Sequence, residues 1–310
     1  MQKTQPQPTP QRKWPEPPAP IHGGAAEHGV FNPTEIVIDG FLEKLRSDYR
    51  RMFGAGTAYT EVAEWVARMA LEKIANCNAL YHDVEHTINV TLCAQQVLRG
   101  RSSAEGDVTP DTWLNFTVSA LCFAIGYVRG CCPGDSRGQF VADASGRLVT
   151  LPPGATDAAL TPFATERSKL FVLDRFRDHP LIDAAAVAAN IDYCRFPVDP
   201  AQHDNGGWPG LLRAAHLIGA CGAPNLMIRM TALVLEYKEA GLLTQLNCNN
   251  AADFRRLYPD TIYRGMILPV IGPALRYLRE TQEGQQWVAN MHAHLLAEKH
   301  DLPALGVARG

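Results

Sequence analysis

The sequence predicts a mostly α-helical bundle with one small β-hairpin insertion. Three observations carry that expectation. Apolar residues recur at helical spacing over most of the chain after Thr34, as in Ile36, Ile38, Phe41, Leu42, Leu45 and Tyr49. The stretch that opens at Thr109-Pro110-Asp111 is apolar nearly all round through Leu121, as in a helix buried on every side. The exception is one segment, about 134–162, in which two short runs flank a glycine turn.

Residues 1–33 read as a disordered proline-rich leader. Pro6, Pro8, Pro10, Pro15, Pro17, Pro18 and Pro20 break any hydrogen-bonded ladder and favour extended, solvated backbone. Within it, Trp14 beside Arg12 and Lys13 is a candidate docking point for a protein partner or a second copy of the chain; a solvated leader without a partner is the plainer alternative. One helical domain is expected over 34–302, followed by a flexible tail at 303–310.

The first helix starts at Thr34, and the next, Glu61 to Ala75, carries Val62, Trp65, Val66, Met69 and Ile74. A helix from Tyr81 to Leu98 would set His82 and His86 on one face, neighbours across one turn. Thr109 is a capping residue, with Pro110 in the first turn of the central helix. The hairpin pairs Gln139–Ala142 with Arg147–Leu151 across Asp143–Gly146, and is expected to cover the mouth of a pocket. Helices resume over Thr165–Arg177, Ile182–Cys194, Gly210–Cys221 and Pro224–Ala240. The last pair spans Asn250–Thr281, broken at Pro259, and Gly284–His300.

Composition narrows the function classes. A hydrophobic content of 46% is ample for a core, while a net charge of -3 and a pI near 6.4 give no footprint for nucleic acid. No apolar run reaches the roughly 18 residues of a membrane span, and no basic-then-apolar signal sequence opens the chain. The eight cysteines form no Cys-x-x-Cys knuckle, which suits a reducing cytoplasm. Cys131-Cys132 reads as two ordinary loop thiols or as a redox or metal pair. Gly-x-Gly-x-x-Gly and Gly-x-Ser-x-Gly are absent, so neither a dinucleotide fold nor a nucleophile elbow is indicated. His292 and His294, two apart, fall on different helix faces and are poor chelators.

Three blocks carry chemistry: Tyr81-His82-Asp83-Val84-Glu85-His86, Leu121-Cys122-Phe123-Ala124-Ile125-Gly126, and Arg213-Ala214-Ala215-His216. In this order and spacing they resemble the HD-domain metal-dependent phosphohydrolases, the helical superfamily that includes the cyclic-nucleotide phosphodiesterases. Thr165–Val172, Arg195–Val198 and Tyr277–Gly284 are similar to a cyanobacterial and proteobacterial branch of it, in which residues 35–300 would form one HD-like helical domain. The resemblance implies a first metal ligand at His86, an adjacent His-Asp pair at 123 and 124, and a final aspartate at 216. It gives the position of His82 a role on the leaving group or substrate phosphate.

Here Phe123 and Ala124 replace the pair, and His216 replaces the aspartate. Phenylalanine and alanine offer a metal no lone pair. Losing even an outer partner of a ligand weakens metal binding about 10- to 100-fold. The chain therefore reads as a degenerate, catalytically silent member: an interaction or anionic-ligand-binding subunit, with no cofactor expected. Arg129, Arg167, Lys169 and Arg195, with Asp135 and Glu166 as acidic company, are candidates to hold a phosphate-bearing small molecule, or else to form salt bridges between helices. One alternative is an enzyme. His82, His86 and His216 match the ligand count of a catalytic zinc site and would hold Fe, Mn or Zn, with His82 protonating the leaving oxygen of a phosphoester. A second alternative is a pure structural scaffold.

Overall fold

The computed structural model describes residues 32–198 and 204–300. The leader up to residue 31, with Trp14, and the tail at 303–310 lie outside them. The chain opens with α1 (Pro33–Phe53), α2 (Ala58–Ile74), α3 (Val84–Glu105) and α4 (Pro110–Cys122). A 3-10 turn (Ile125–Tyr127), the hairpin β1 (Gln139–Val141) and β2 (Leu148–Thr150), and a second 3-10 turn (Asp157–Phe163) follow. Then come α5 (Ala164–Arg175), α6 (Ala184–Asp192), α7 (Trp208–Cys221) and α8 (Leu226–Glu239). After a 3-10 turn (Leu243–Leu246) the chain ends in α9 (Ala251–Leu257), a π-helix (Tyr258–Ile267), α10 (Leu268–Leu278) and α11 (Gln282–His300).

Local signals start these helices. Asn32 Oδ1 accepts from Thr34 N at 3.1 Å, with Pro33 in the first turn of α1. Thr57 and Thr60 form a reciprocal capping box on α2. Thr109 Oγ1 accepts from Thr112 N at 3.2 Å ahead of Pro110 on α4, as the sequence predicts. The hairpin has the expected frame, Phe140 opposite Val149, and Gly146 takes its turn position at a φ of 78°.

Core packing centres on α3, α4 and α7. Trp113, Leu114, Phe116, Val118 and Leu121 of α4 are buried, so this helix is enclosed as its composition implies. Its buried polar groups close on each other: Trp113 Nε1 donates to Gln95 Oε1 at 2.7 Å, and Gln95 Nε2 donates to Thr117 Oγ1 at 2.8 Å. α7 lies close along α3 because Gly219 has no side chain; a Cβ there would stand 2.9 Å from Val90 Cα.

Two expectations are corrected. The histidine helix begins at Val84, not Tyr81, because the Asp83 carboxylate caps it by accepting from His86 N at 2.9 Å. Tyr81 and His82 therefore sit in the turn before α3, and His82 and His86 are not a helical i, i+4 pair. Pro259 does not break the late helix. It lies in the first turn of the π-helix, where a missing N–H costs little, and winding continues into α10. Among the described residues no single helix is long and apolar enough to cross a membrane.

Candidate functional site

Four elements bring the site together. His82 comes from the turn before α3, His86 from the first turn of α3, His216 from the middle of α7, and Glu236 from α8. One ring nitrogen of each histidine lies within 4.8 Å of those of the other two. The three residues are only 2–8% exposed. Ring centroids are 5.1 Å apart for His82 and His86, and 5.6 Å for His86 and His216.

Glu236 orients the first of them. Its Oε2 lies 2.7 Å from His82 Nδ1, and its Oε1 accepts from Tyr81 N at 2.5 Å and His82 N at 3.1 Å. An ionised carboxylate only accepts, so Nδ1 carries a proton, and the lone pair of the neutral ring lies at Nε2. The Tyr127 ring stacks on His82 at 4.1 Å, and its hydroxyl stands 3.3 Å from that Nε2. Burial would push the Glu236 carboxyl up. The attraction of the His82 ring and the bonds from His82 and Tyr81 outweigh it, and the group sits below its ordinary range.

His86 Nε2 is buried without a hydrogen-bond partner. Such a group costs about 1–3 kcal/mol when nothing satisfies it. Burial, then the crowding of two further ionisable rings, His82 and His216, hold His86 well below the usual histidine value. Burial and then His82 bring His216 down to about 3. Both rings are therefore neutral near pH 7, with lone pairs available. At Zn–N distances of about 2.0–2.1 Å, tetrahedral ligand nitrogens stand about 3.3 Å apart.

Phe123, the cap of α4, packs its ring 4.7 Å from His216 and 5.7 Å from His86. Positions 86, 123 and 216 thus meet at one point, and Ala124 beside them is fully buried. The side chains of 123 and 124 offer no lone pair, so among the described residues the three imidazoles are the donor set of the cluster.

A cavity of about 370 Å³ opens on His82 and His216, with His86 behind them. Its wall is largely apolar and aromatic: Phe123, Tyr127, Met230, Tyr237, Phe254 and Tyr258. Of the residues expected to bind an anion, only Arg195 lines it. Arg195 and Lys169 both pair with Asp192, at 2.9 and 2.7 Å, and with Glu166. Arg129 forms an ion pair instead with Asp157, Nε standing 2.6 Å from Oδ1, and donates to the Ala155 carbonyl.

Arg167 is fully buried. It grips Asp135 at 3.0 and 2.9 Å and donates to the carbonyls of Gly126, Val128 and Val141. Together Arg167 and Asp135 fasten α5 to the 125–127 turn and to β1. Gly126 leaves no room between them, since a Cβ there would meet Ala164 O at 1.9 Å. The expected cation cluster is thus a set of salt bridges, and the hairpin is pinned by Arg167 rather than laid over the cavity mouth. Cys131 and Cys132, with Sγ atoms 3.6 Å apart, pack beside Arg167 and do not line the cavity.

Sequence reasoning placed α8 but missed the two site residues that it carries, Arg229 and Glu236. Between Leu226 and Tyr237 its only charged residues are Arg229 and Glu236, seven apart and so on nearly one face. Arg229 donates to Asp83 at 2.8 and 3.0 Å, to Glu85 at 3.1 Å and to Tyr81 O at 2.5 Å. The two charges staple the histidine turn from both ends. Two lone charges in an apolar helix were the available signal. Residues 31–301 match one family model, described as Npun_R2479-like. No curated protein and no solved structure matches the chain.

Proposed function

The chain belongs to the Npun_R2479-like family, and we propose that it is a metalloprotein in which His82, His86 and His216 hold one transition-metal ion at the floor of the cavity. The observation that carries this reading is the partnerless, buried Nε2 of His86 inside a cluster of three buried imidazoles. Imidazole donors suit zinc, iron, copper or nickel better than magnesium. Three protein ligands with room for a fourth is the arrangement of catalytic rather than structural zinc sites. Glu236 behind His82 is the carboxylate that such histidines commonly need to fix their orientation. The ion would supply a Lewis acid beside the cavity; the chain's own residues orient the imidazoles and exclude water through Phe123 and Tyr127.

This reading keeps the three-imidazole half of the enzyme alternative and drops its phosphate substrate. The cations that would clamp a phosphate are matched by carboxylates. The resemblance to HD-domain phosphohydrolases is compatible with a rebuilt site, because positions 86, 123 and 216 converge. A second reading, a metal-free and catalytically silent pocket, is favoured by Phe123, whose ring occupies one side of the cluster.

Calorimetric titration of zinc into chelator-stripped protein separates the two. The proposal expects saturable one-to-one binding, weakened at least about 100-fold in His86→Ala and His216→Ala. Absence of saturable binding in the parent would overturn it.

A further inference from the structure

We propose that the cavity receives an uncharged, largely apolar small molecule with a single hydrogen-bonding oxygen, and that the Tyr258 hydroxyl is its polar contact. The inference deepens the metal-site reading by naming the ligand class above it. Its observations are separate from the histidines.

Tyr258 lines the cavity and is 2% exposed, yet its hydroxyl has no oxygen or nitrogen partner. The Cys221 thiol, a weak partner, stands near it. A buried phenol normally finds a partner, so a vacant one at a cavity wall marks where a ligand oxygen belongs.

The backbone carrying it is unusual. Tyr258–Ile267 is a π-helix, a rare conformation that concentrates at functional sites, and it also presents Ile262 and Ile267 to the cavity. The wide winding thus builds one wall from one hydroxyl and two aliphatic side chains.

Charge sets the rest of the ligand's chemistry. Arg195 is the only lysine, arginine, aspartate or glutamate that lines the cavity among the described residues, and Glu166 and Asp192 balance it. In the metal-free cavity, a carboxylate or phosphate would lose its hydration without gaining a free counter-charge from the protein. An alcohol, aldehyde or ketone loses far less, and its hydrocarbon part gains from the aromatic wall. The cavity, at about 370 Å³, falls at the small end of ligand sites, roughly 300–1,000 Å³.

The probe is octan-1-ol, with octanoate and inorganic phosphate as competitors. Each is titrated calorimetrically into full-length protein, chelator-stripped and zinc-loaded in parallel. Octan-1-ol should bind both forms. Tyr258→Phe should weaken that binding about 3- to 10-fold, the span expected for one neutral hydrogen bond, and leave zinc affinity unchanged. Ala220→Trp, which fills the cavity one turn from His216, should abolish alcohol binding while the circular dichroism stays helical. Tighter binding of octanoate or phosphate to the stripped protein would overturn the proposal, as would alcohol binding indifferent to both substitutions. If alcohol binds and zinc does not, the metal reading fails alone and the ligand assignment stands.

Discussion

Exchanging Glu236 for glutamine would change one atom type at the back of the site and split two effects that can be measured apart. The carboxylate accepts three hydrogen bonds, from Tyr81 N at 2.5 Å, His82 N at 3.1 Å and His82 Nδ1 at 2.7 Å. The glutamine carbonyl can keep the two backbone donors. Its amide then faces Nδ1 as a donor, and His82 must answer with a lone pair there. The imidazole proton moves to Nε2, and the nitrogen that would face an ion is no longer free. Bonds to a charged group contribute about 1.5–3 kcal/mol and neutral ones about 0.5–1.5 kcal/mol. The stability loss should therefore be about 1–2 kcal/mol, a melting shift of several degrees for a chain of this size. Zinc affinity should fall about 10- to 100-fold, as when a carboxylate partner of a ligating histidine is lost. Calorimetric melting and zinc titration on one preparation read both. A Glu236→Gln protein that binds zinc as tightly as the parent would refute the role of His82 Nε2 as a ligand.

Breaking the buried Arg167–Asp135 pair with Arg167→Met should cost about 3–5 kcal/mol, because a carboxylate is left buried and partly unpaired; chemical denaturation checks it, and a loss under about 1 kcal/mol contradicts the account. In chelator-stripped protein, stability should fall with acid below the ordinary histidine value near 6.5, because the unfolded chain takes up protons that folded His86 and His216 refuse down to about pH 3 for the latter. The contribution is fully present above pH 6.5 and declines by up to about 1.4 kcal/mol per pH unit per ring; urea midpoints at pH 7, 6 and 5 should show it, more weakly in His216→Gln. Introducing Phe123→His with Ala124→Asp should destabilise the stripped protein by several kcal/mol, through lost aromatic packing and a newly buried carboxylate. Manganese or iron should return part of that stability in a thermal melt; no response to metal would mean that residues 123 and 124 do not face the cluster.

The helical architecture was legible because its signals are local. Thr109-Pro110 announces α4, and the all-round apolar pattern after it announces burial. Gly146 between two short runs announces the hairpin. The start of α3 was misread although its signal was equally local: Asp83 caps the helix and leaves His82 outside it. Most of the site was illegible because its partners are far apart in sequence. Glu236 reaches His82 across 154 residues, and Arg167 reaches Asp135 across 32. Sequence shows that Arg129, Arg167, Lys169 and Arg195 are cations; it does not show that carboxylates from other elements meet them. Tyr258 was hidden for a related reason. Its importance depends on a hydroxyl that finds no partner, which is a property of the packed chain and not of any motif.

The most direct test of the account is the metal content of the purified full-length protein, by elemental analysis without added metal or chelator. The account expects close to one equivalent of zinc, iron, copper or nickel per chain, and a small fraction of that in His86→Ala. A parent holding well under one-tenth of an equivalent, equal to the variant and unchanged after incubation with each metal, would contradict it.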